Sequence, residues 1–135
     1  MEIKYPSQSL RVLAVDDEPS VLEVLSLFLC EDGHQVETAA SGEEALMHFQ
    51  NSTWDVVLTD RIMPGMTGDQ LVRAIRELAP QMPVVMVTGF IDAASALEME
   101  KSGVDVIVRK PFTLASLRNG ISSARARHMT RQHAA

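Results

Sequence analysis

Residues 10–19 read LRVLAVDDEP, an apolar run broken only by Arg11 that stops abruptly at two carboxylates and a proline. Three further short runs share its character: Val56–Leu58, Val84–Val87 and Val104–Val108. A weaker extended stretch, HQVETA, spans His34–Ala39. Val-rich runs that do not alternate with polar residues suit strands covered on both faces, as in a parallel sheet. The segments between them follow a helical period. In the first, Val21, Leu25 and Phe28 share a face, with Val24 and Leu29 beside them. The second opens at Ser41, with Glu44 three residues on as a capping box, and presents Ala45, Leu46 and Phe49. The third carries Leu71, Ala74, Ile75 and Leu78 and ends before Pro80. The fourth, about Asp92 to Ser102, stops at Gly103, and the last opens at Thr113 with Leu114, Leu117, Ile121 and Ala124 inward.

Five strand–helix alternations with short connections predict a doubly wound α/β domain, because parallel strands need right-handed crossovers. Ligands in such sheets sit outside the carboxyl ends of the strands, near the point where strand order reverses. Four of the five runs end there in a polar residue: Asp16-Asp17, Asp60, Thr88 and Lys110. Three carboxylates converging on one cleft repel one another. A divalent cation removes the conflict, and all-oxygen ligation points to Mg²⁺ or Mn²⁺ rather than zinc. A phosphoryl oxygen is the natural further ligand of such an ion. Lys110 then supplies charge and Thr88 a hydroxyl for the other oxygens, while Gly89 leaves room beside that hydroxyl. Asp60 is the candidate nucleophile toward phosphorus.

Each of these residues has a plainer reading alone. Asp16-Asp17-Glu18 before Pro19 suits a helix start, where carboxylates meet the positive dipole end. Asp60 precedes Met63-Pro64-Gly65, which is turn chemistry, and Lys110-Pro111 suits a solvated lysine before a turn. Their joint placement at strand ends favours the site. It also predicts that Asp16→Asn or Asp17→Asn leaves the metal-free fold at least as stable. The four histidines, His34, His48, His128 and His133, lack metal-ligand spacing and read as surface or structural; Cys30 and the eight methionines read as structural.

At 135 residues the chain has the length of one domain, with 46% apolar and 22% charged residues, ordinary globular composition. The densest apolar stretch, Val24–Cys30, is far short of the ~18 residues of a membrane span. The opening MEIKYPSQS lacks the features of a secretory signal, and a single cysteine fits a reducing compartment; the expected location is cytoplasmic. All eighteen acidic residues lie in residues 1–105 with six basic ones, and six basic residues with none acidic lie in 106–135. That basic end reads as a helix whose cations favour its negative terminus, or as a docking face for an acidic partner or nucleic acid. No recognised DNA-binding motif accompanies it, so direct nucleic-acid binding is not expected.

The segments LRVLAVDDEP, VVLTDRIMPGMTG, PVVMVTGF and VRKPF, in this order and spacing, resemble the receiver domains of two-component response regulators. The resemblance covers roughly residues 9–127, leaving 1–8 as an N-terminal extension and 128–135 as a C-terminal tail. It implies a flavodoxin-like, five-stranded parallel sheet of order 2-1-3-4-5 with five helices. By position it implies that Asp60 is the phosphorylated aspartate. Asp17 corresponds to a direct metal ligand, Asp16 to one acting mainly through water, and the Ile62 backbone carbonyl to a further ligand. Thr88 and Lys110 correspond to the residues holding the phosphoryl group, and Lys110-Pro111 to a cis peptide. The donor is a phosphohistidine of a sensor histidine kinase or phosphotransfer protein, and output passes to a downstream protein that the sequence does not identify. Such a module catalyses only its own phosphoryl transfer and dephosphorylation.

One position departs: where many receivers have Tyr or Phe three residues before the lysine, this chain has Ile107. Ile62 and Phe90 are apolar where relatives often carry polar groups that position hydrolytic water, which predicts a long-lived phosphorylated form. Other roles within the same reading are a phosphate sink, a docking module independent of phosphorylation, or a fragment of a larger regulator or hybrid kinase. A metal-dependent phosphatase with an aspartyl nucleophile usually wants a second acid where Ile62 stands. A flavin- or nucleotide-binding module wants a phosphate-cradling loop where Asp16-Asp17-Glu18 stands.

Overall fold

In the computed structural model, which describes residues 9–89 and 91–133, five strands and five helices alternate along the chain. They are β1 (Arg11–Val15), α1 (Pro19–Glu31), β2 (Gln35–Ala39), α2 (Gly42–Asn51), β3 (Val56–Thr59), α3 (Gly68–Leu78), β4 (Val84–Thr88), α4 (Ala93–Ser102), β5 (Val106–Arg109) and α5 (Leu114–His133). The sheet has the order β2-β1-β3-β4-β5 with every pairing parallel, as the resemblance implied.

The unbroken Val-rich runs have a direct structural counterpart. Side chains alternate across a strand, so a sheet covered twice needs apolar residues at every position. In β1, Val12 and Ala14 join Leu25 and Leu29 of α1 and Leu117 and Ile121 of α5. The intervening Leu13 and Val15 join Phe49 of α2, Leu71 and Ile75 of α3 and Met99 of α4. β3 and β4 divide the same way, with Val57 and Met86 on one side and Leu58 and Val85 on the other. Two cores therefore share one sheet. Burying a side chain of the Leu25 or Leu71 class contributes roughly 1.5–3 kcal/mol relative to leaving it in water.

Local signals place most helix ends. Asp92 and Ser95 cap α4 reciprocally at 2.7 and 3.0 Å, and Gly103 ends it at φ 101°, a conformation glycine adopts without strain. Several expectations shift. Ser41 Oγ accepts from the Glu44 amide at 3.1 Å, but the Glu44 carboxylate takes the Ala40 amide instead of returning to Ser41. The buried stripe of α3 is Leu71, Val72 and Ile75, which leaves Leu78 at its edge and 52% exposed; Val24 of α1 likewise faces out. No separate tail begins at residue 128. α5 continues to His133, and buried His128 lies 2.9 Å from Asp105, which ties that turn to the sheet. The expected extension 1–8 lies outside the described residues. Among those described, no helix is long and apolar enough to cross a membrane.

Two arginines of the basic end are tied into this scaffold. Arg118 forks onto both oxygens of buried Asp32 at 2.7 Å each, and Arg127 donates to the Asp105 carbonyl at 2.6 Å. Arg118 and Arg127 thus fasten α5 to the end of α1 and to the start of β5, which counts against a docking face built on these two side chains.

His34 fastens the beginning of the sheet. Its Nδ1 accepts the Leu10 amide at 3.1 Å, and both residues are buried. Burial pushes the His34 pKa below its ordinary value and outweighs the upward pull of Asp32. A protonated Nδ1 can no longer accept that bond. The unfolded chain takes the proton near the ordinary value of about 6.5, so stability falls as pH drops through that value towards the lower folded one. Urea titrations at pH 7 and pH 5 are expected to show a loss of stability that His34→Asn, which keeps an acceptor oxygen but does not titrate, reduces. Equal pH slopes for the two proteins would remove His34 from the account.

Candidate functional site

The carboxyl ends of β1, β3, β4 and β5 lie side by side, with Val15 in register with Thr59 and Thr59 with Met86. Asp16, Asp60, Thr88 and Lys110 occupy or directly follow these ends. Backbone bonds hold the arrangement: the Asp60 amide donates to Val15 O at 2.9 Å, and the Lys110 amide to Thr88 O at 2.9 Å. Thr88 is 2% exposed and closes β4. The Lys110-Pro111 peptide is cis, as the resemblance implied.

Lys110 Nζ sits between two carboxylates, 2.9 Å from Asp16 Oδ2 and 3.3 Å from Asp60 Oδ2. The other oxygen of each acid takes a backbone amide: Asp16 Oδ1 that of Glu18 at 2.9 Å, Asp60 Oδ1 that of Arg61 at 2.7 Å. Asp17 completes the group from the exposed side, with one ligand oxygen from each of the three acids within 4.8 Å of the others. Three negative charges face one ammonium, so the pocket remains anionic. The repulsion inferred from sequence is therefore partly relieved by Lys110 before any metal is considered.

Burial, then the charge of Asp16, push the Asp60 pKa up, opposed by the Arg61 amide and Lys110. Burial works against the Lys110 charge, but the hydrogen bond to Asp16 and the charges of both acids outweigh it, and its pKa rises. Among the described residues, these three aspartates are the one cluster with metal-ligand geometry. Their hard oxygen donors fit Mg²⁺ and offer no histidine or thiolate for zinc. His34 and His128 are buried in hydrogen bonds elsewhere, and His48 lies beside Glu37 and Glu44.

The neighbouring positions vary in how they match expectation. Ile62 lies on the loop after Asp60 with its side chain 64% exposed. Phe90 lies outside the described residues. Gly89 is less constrained than expected, since a Cβ there would meet Lys110 Cβ at an ordinary 3.8 Å. Ile107 packs half-buried against the core that faces α2, α3 and α4. Asp16 departs most from the charge argument. It is 1% exposed and holds both an amide and Lys110, so its neutral variant would lose a buried ion pair. Only exposed Asp17, with no hydrogen bond or ion pair among the described residues, keeps the expected neutrality.

Sequence reading missed the first turn of α3. Gly68 N donates to Arg61 O at 2.7 Å, and Arg61 Nε to Asp69 Oδ2 at 3.1 Å. The available signal was Thr67 with Gln70 three residues on, a capping box that the structure forms.

Residues 12–122 match the family model for the response regulator receiver domain. Similar proteins include the transcriptional regulatory protein GlrR of Escherichia coli, 34% identical over 113 residues that make up 84% of this chain and 26% of GlrR. The DNA-binding response regulator MtrA of Mycolicibacterium smegmatis is 35% identical over 76% of this chain and 44% of its own length. The chain spans about a quarter to a half of these relatives. Among solved structures, a response regulator receiver domain protein from Clostridium thermocellum superposes with a TM-score of 0.82 at 34% identity, covering 89% of this chain and 97% of that one. The Vibrio cholerae chemotaxis protein CheY4 gives 0.81 at 34% identity, covering 85% and 98%. The strand order, the acidic cluster with its lysine and these matches agree: the chain belongs to the response regulator receiver domains of two-component signalling.

Proposed function

We propose that Asp60 accepts a phosphoryl group from a phosphohistidine on a sensor histidine kinase or phosphotransfer protein. The reading rests on one observation, the Lys110 ammonium set between Asp16 and Asp60 with Asp17 in the same oxygen cluster. An Asp60 oxygen bonds to phosphorus as the phosphorus–nitrogen bond breaks, and the electron pair returns to the departing imidazole. Lys110 is already within reach of Asp60 and holds a phosphoryl oxygen once transfer occurs; the Thr88 hydroxyl holds another. Asp16, Asp17, Asp60 and the Ile62 carbonyl hold Mg²⁺, which when bound offsets the charge of the acids and of the transferred group. The chain turns over no other substrate and works in the cytoplasm.

Output passes through protein contact with a downstream partner. The commitment of Arg118 and Arg127 to Asp32 and Asp105 argues against this domain gripping nucleic acid itself. A DNA-binding activity like that named for MtrA would belong to a further domain if this chain is part of a longer regulator. Signalling does not use ring rotation three residues before the lysine, because Ile107 stands there.

Incubation with acetyl phosphate and Mg²⁺ is expected to add one phosphoryl group by intact mass to the wild type and none to Asp60→Asn. Unmodified wild type, or a modified variant, would sink the assignment. Asp17→Asn is expected to weaken Mg²⁺ binding roughly tenfold, with the metal-free melting midpoint unchanged or raised. A clearly lowered midpoint would make Asp17 structural.

The exposed apolar Ile62 side chain offers no polar group to orient water at the phosphoryl group. The modified protein should therefore persist for minutes or longer in buffer, and Ile62→Asn should shorten that lifetime. Decay of wild type within seconds, followed by mass spectrometry, would refute the idea.

A further inference from the structure

The peptide carrying Asp60 is gripped by the start of α3. Gly68 is buried there, and a Cβ on it would collide with the Asp60 carbonyl oxygen and lie 2.8 Å from Arg61 Cα. Its amide donates to Arg61 O at 2.7 Å, while the Arg61 amide donates to Asp60 Oδ1 at 2.7 Å. One residue, Arg61, thus orients the acceptor carboxylate through its amide and is held by α3 through its carbonyl. The Arg61 side chain turns the same way. Its Nε meets Asp69 Oδ2 at 3.1 Å, with only 18% of the arginine and 12% of the aspartate side chain exposed.

Asp69 also suits the positive N-terminal end of α3, a role that any acidic residue in the first turn fills. Two observations exceed that role. The residue is buried rather than solvated, and its Oδ1 is the one buried side-chain atom among the described residues without a hydrogen-bond partner. A first-turn acid serves the dipole without being buried, whereas a buried carboxylate with an orphaned oxygen carries a cost that its contact with Arg61 must offset.

We propose that Asp69 is a positioning residue for phosphoryl transfer: by pinning Arg61 it fixes the residue whose amide aims the Asp60 carboxylate and whose carbonyl leads to Ile62. The inference rests on the reading of Asp60 as phosphoacceptor. Arg61 and Asp69 act as one unit, since Asp69 reaches Asp60 only through Arg61. Groups that orient reacting or metal-binding ligands in this way typically change rate or metal affinity roughly ten- to a hundredfold when removed.

The test is a double-mutant cycle on the full chain with acetyl phosphate as donor, using the maximal phosphorylation rate at saturating Mg²⁺, the calorimetric Mg²⁺ dissociation constant and urea stability. Asp69→Ala and Arg61→Ala are each expected to lower the maximal rate about tenfold and to weaken Mg²⁺ binding, with the protein fully folded under assay conditions. The double variant should be no slower than either single one. Asp69→Asn keeps an oxygen that accepts from Arg61 Nε and should recover most of the rate. Should Asp69→Ala fail to fold, Arg61→Lys, which keeps the charge but loses the Nε–H, carries the test and should be equally slow. An unchanged rate in the folded single variants, losses that multiply in the double, or an Asp69→Asn as slow as Asp69→Ala would overturn the proposal. Failure of the wild type to be phosphorylated, or modification of Asp60→Asn, would instead overturn the assignment of Asp60.

Discussion

A single ammonium group holds the working edge of this molecule together. Lys110 Nζ bonds acids from β1 and β3, and its partner Asp16 lies 94 residues away in sequence. Two carboxylates this buried and this close would not both stay ionised without a positive neighbour. The lysine in turn has a reason to stay charged despite its partial burial, because the two acids raise its pKa. The arrangement depends on the parallel sheet. Only strands running the same way deliver the residues after Val15, Thr59 and Arg109 to one edge, and the crossover helices then cover both faces.

Most of this was legible because one constraint acted on every strand. A sheet buried twice must be apolar at each position, so the runs at residues 12–15, 56–58 and 84–87 announced strands without help from alternation. The same burial made any polar residue at a run's end conspicuous, and Asp16, Asp60, Thr88 and Lys110 were found that way. Val24 and Leu78 misled because apolar character alone does not fix the centre of a helical stripe; the true centre of α3 runs through Val72. The last helix was cut short for a different reason. The resemblance stopped at residue 127, whereas the buried carboxylate of Asp105 draws the His128 ring inward.

What stayed hidden was pairing. Nothing in the sequence joins Arg118 to Asp32 or Arg76 to Asp105, since each pair is distant in the chain and neither residue is unusual for a surface. The same holds in the pocket, where the acids read from sequence as a repelling trio, whereas the lysine assigned to a phosphoryl oxygen already neutralises part of their charge.

The buried acids of this fold separate by which partners hold them. Asp105, at the opposite edge, takes Arg76 at 2.8 Å, the Val84 amide at 2.9 Å and faces His128 at 2.9 Å. Asp32 takes a two-pronged arginine. Both are held by guanidinium groups that belong to the scaffold, Arg76 for Asp105 and Arg118 for Asp32. Asp16 and Asp60 each hold one amide and share one ammonium, while Asp17 holds nothing among the described residues. One ammonium shared by two acids leaves lone pairs on both open to a further ligand. A site that must bind a cation and offer an oxygen to phosphorus requires such lone pairs. Hence the same residue type, buried in the same sheet, serves as a rivet at one edge and as a reactive group at the other.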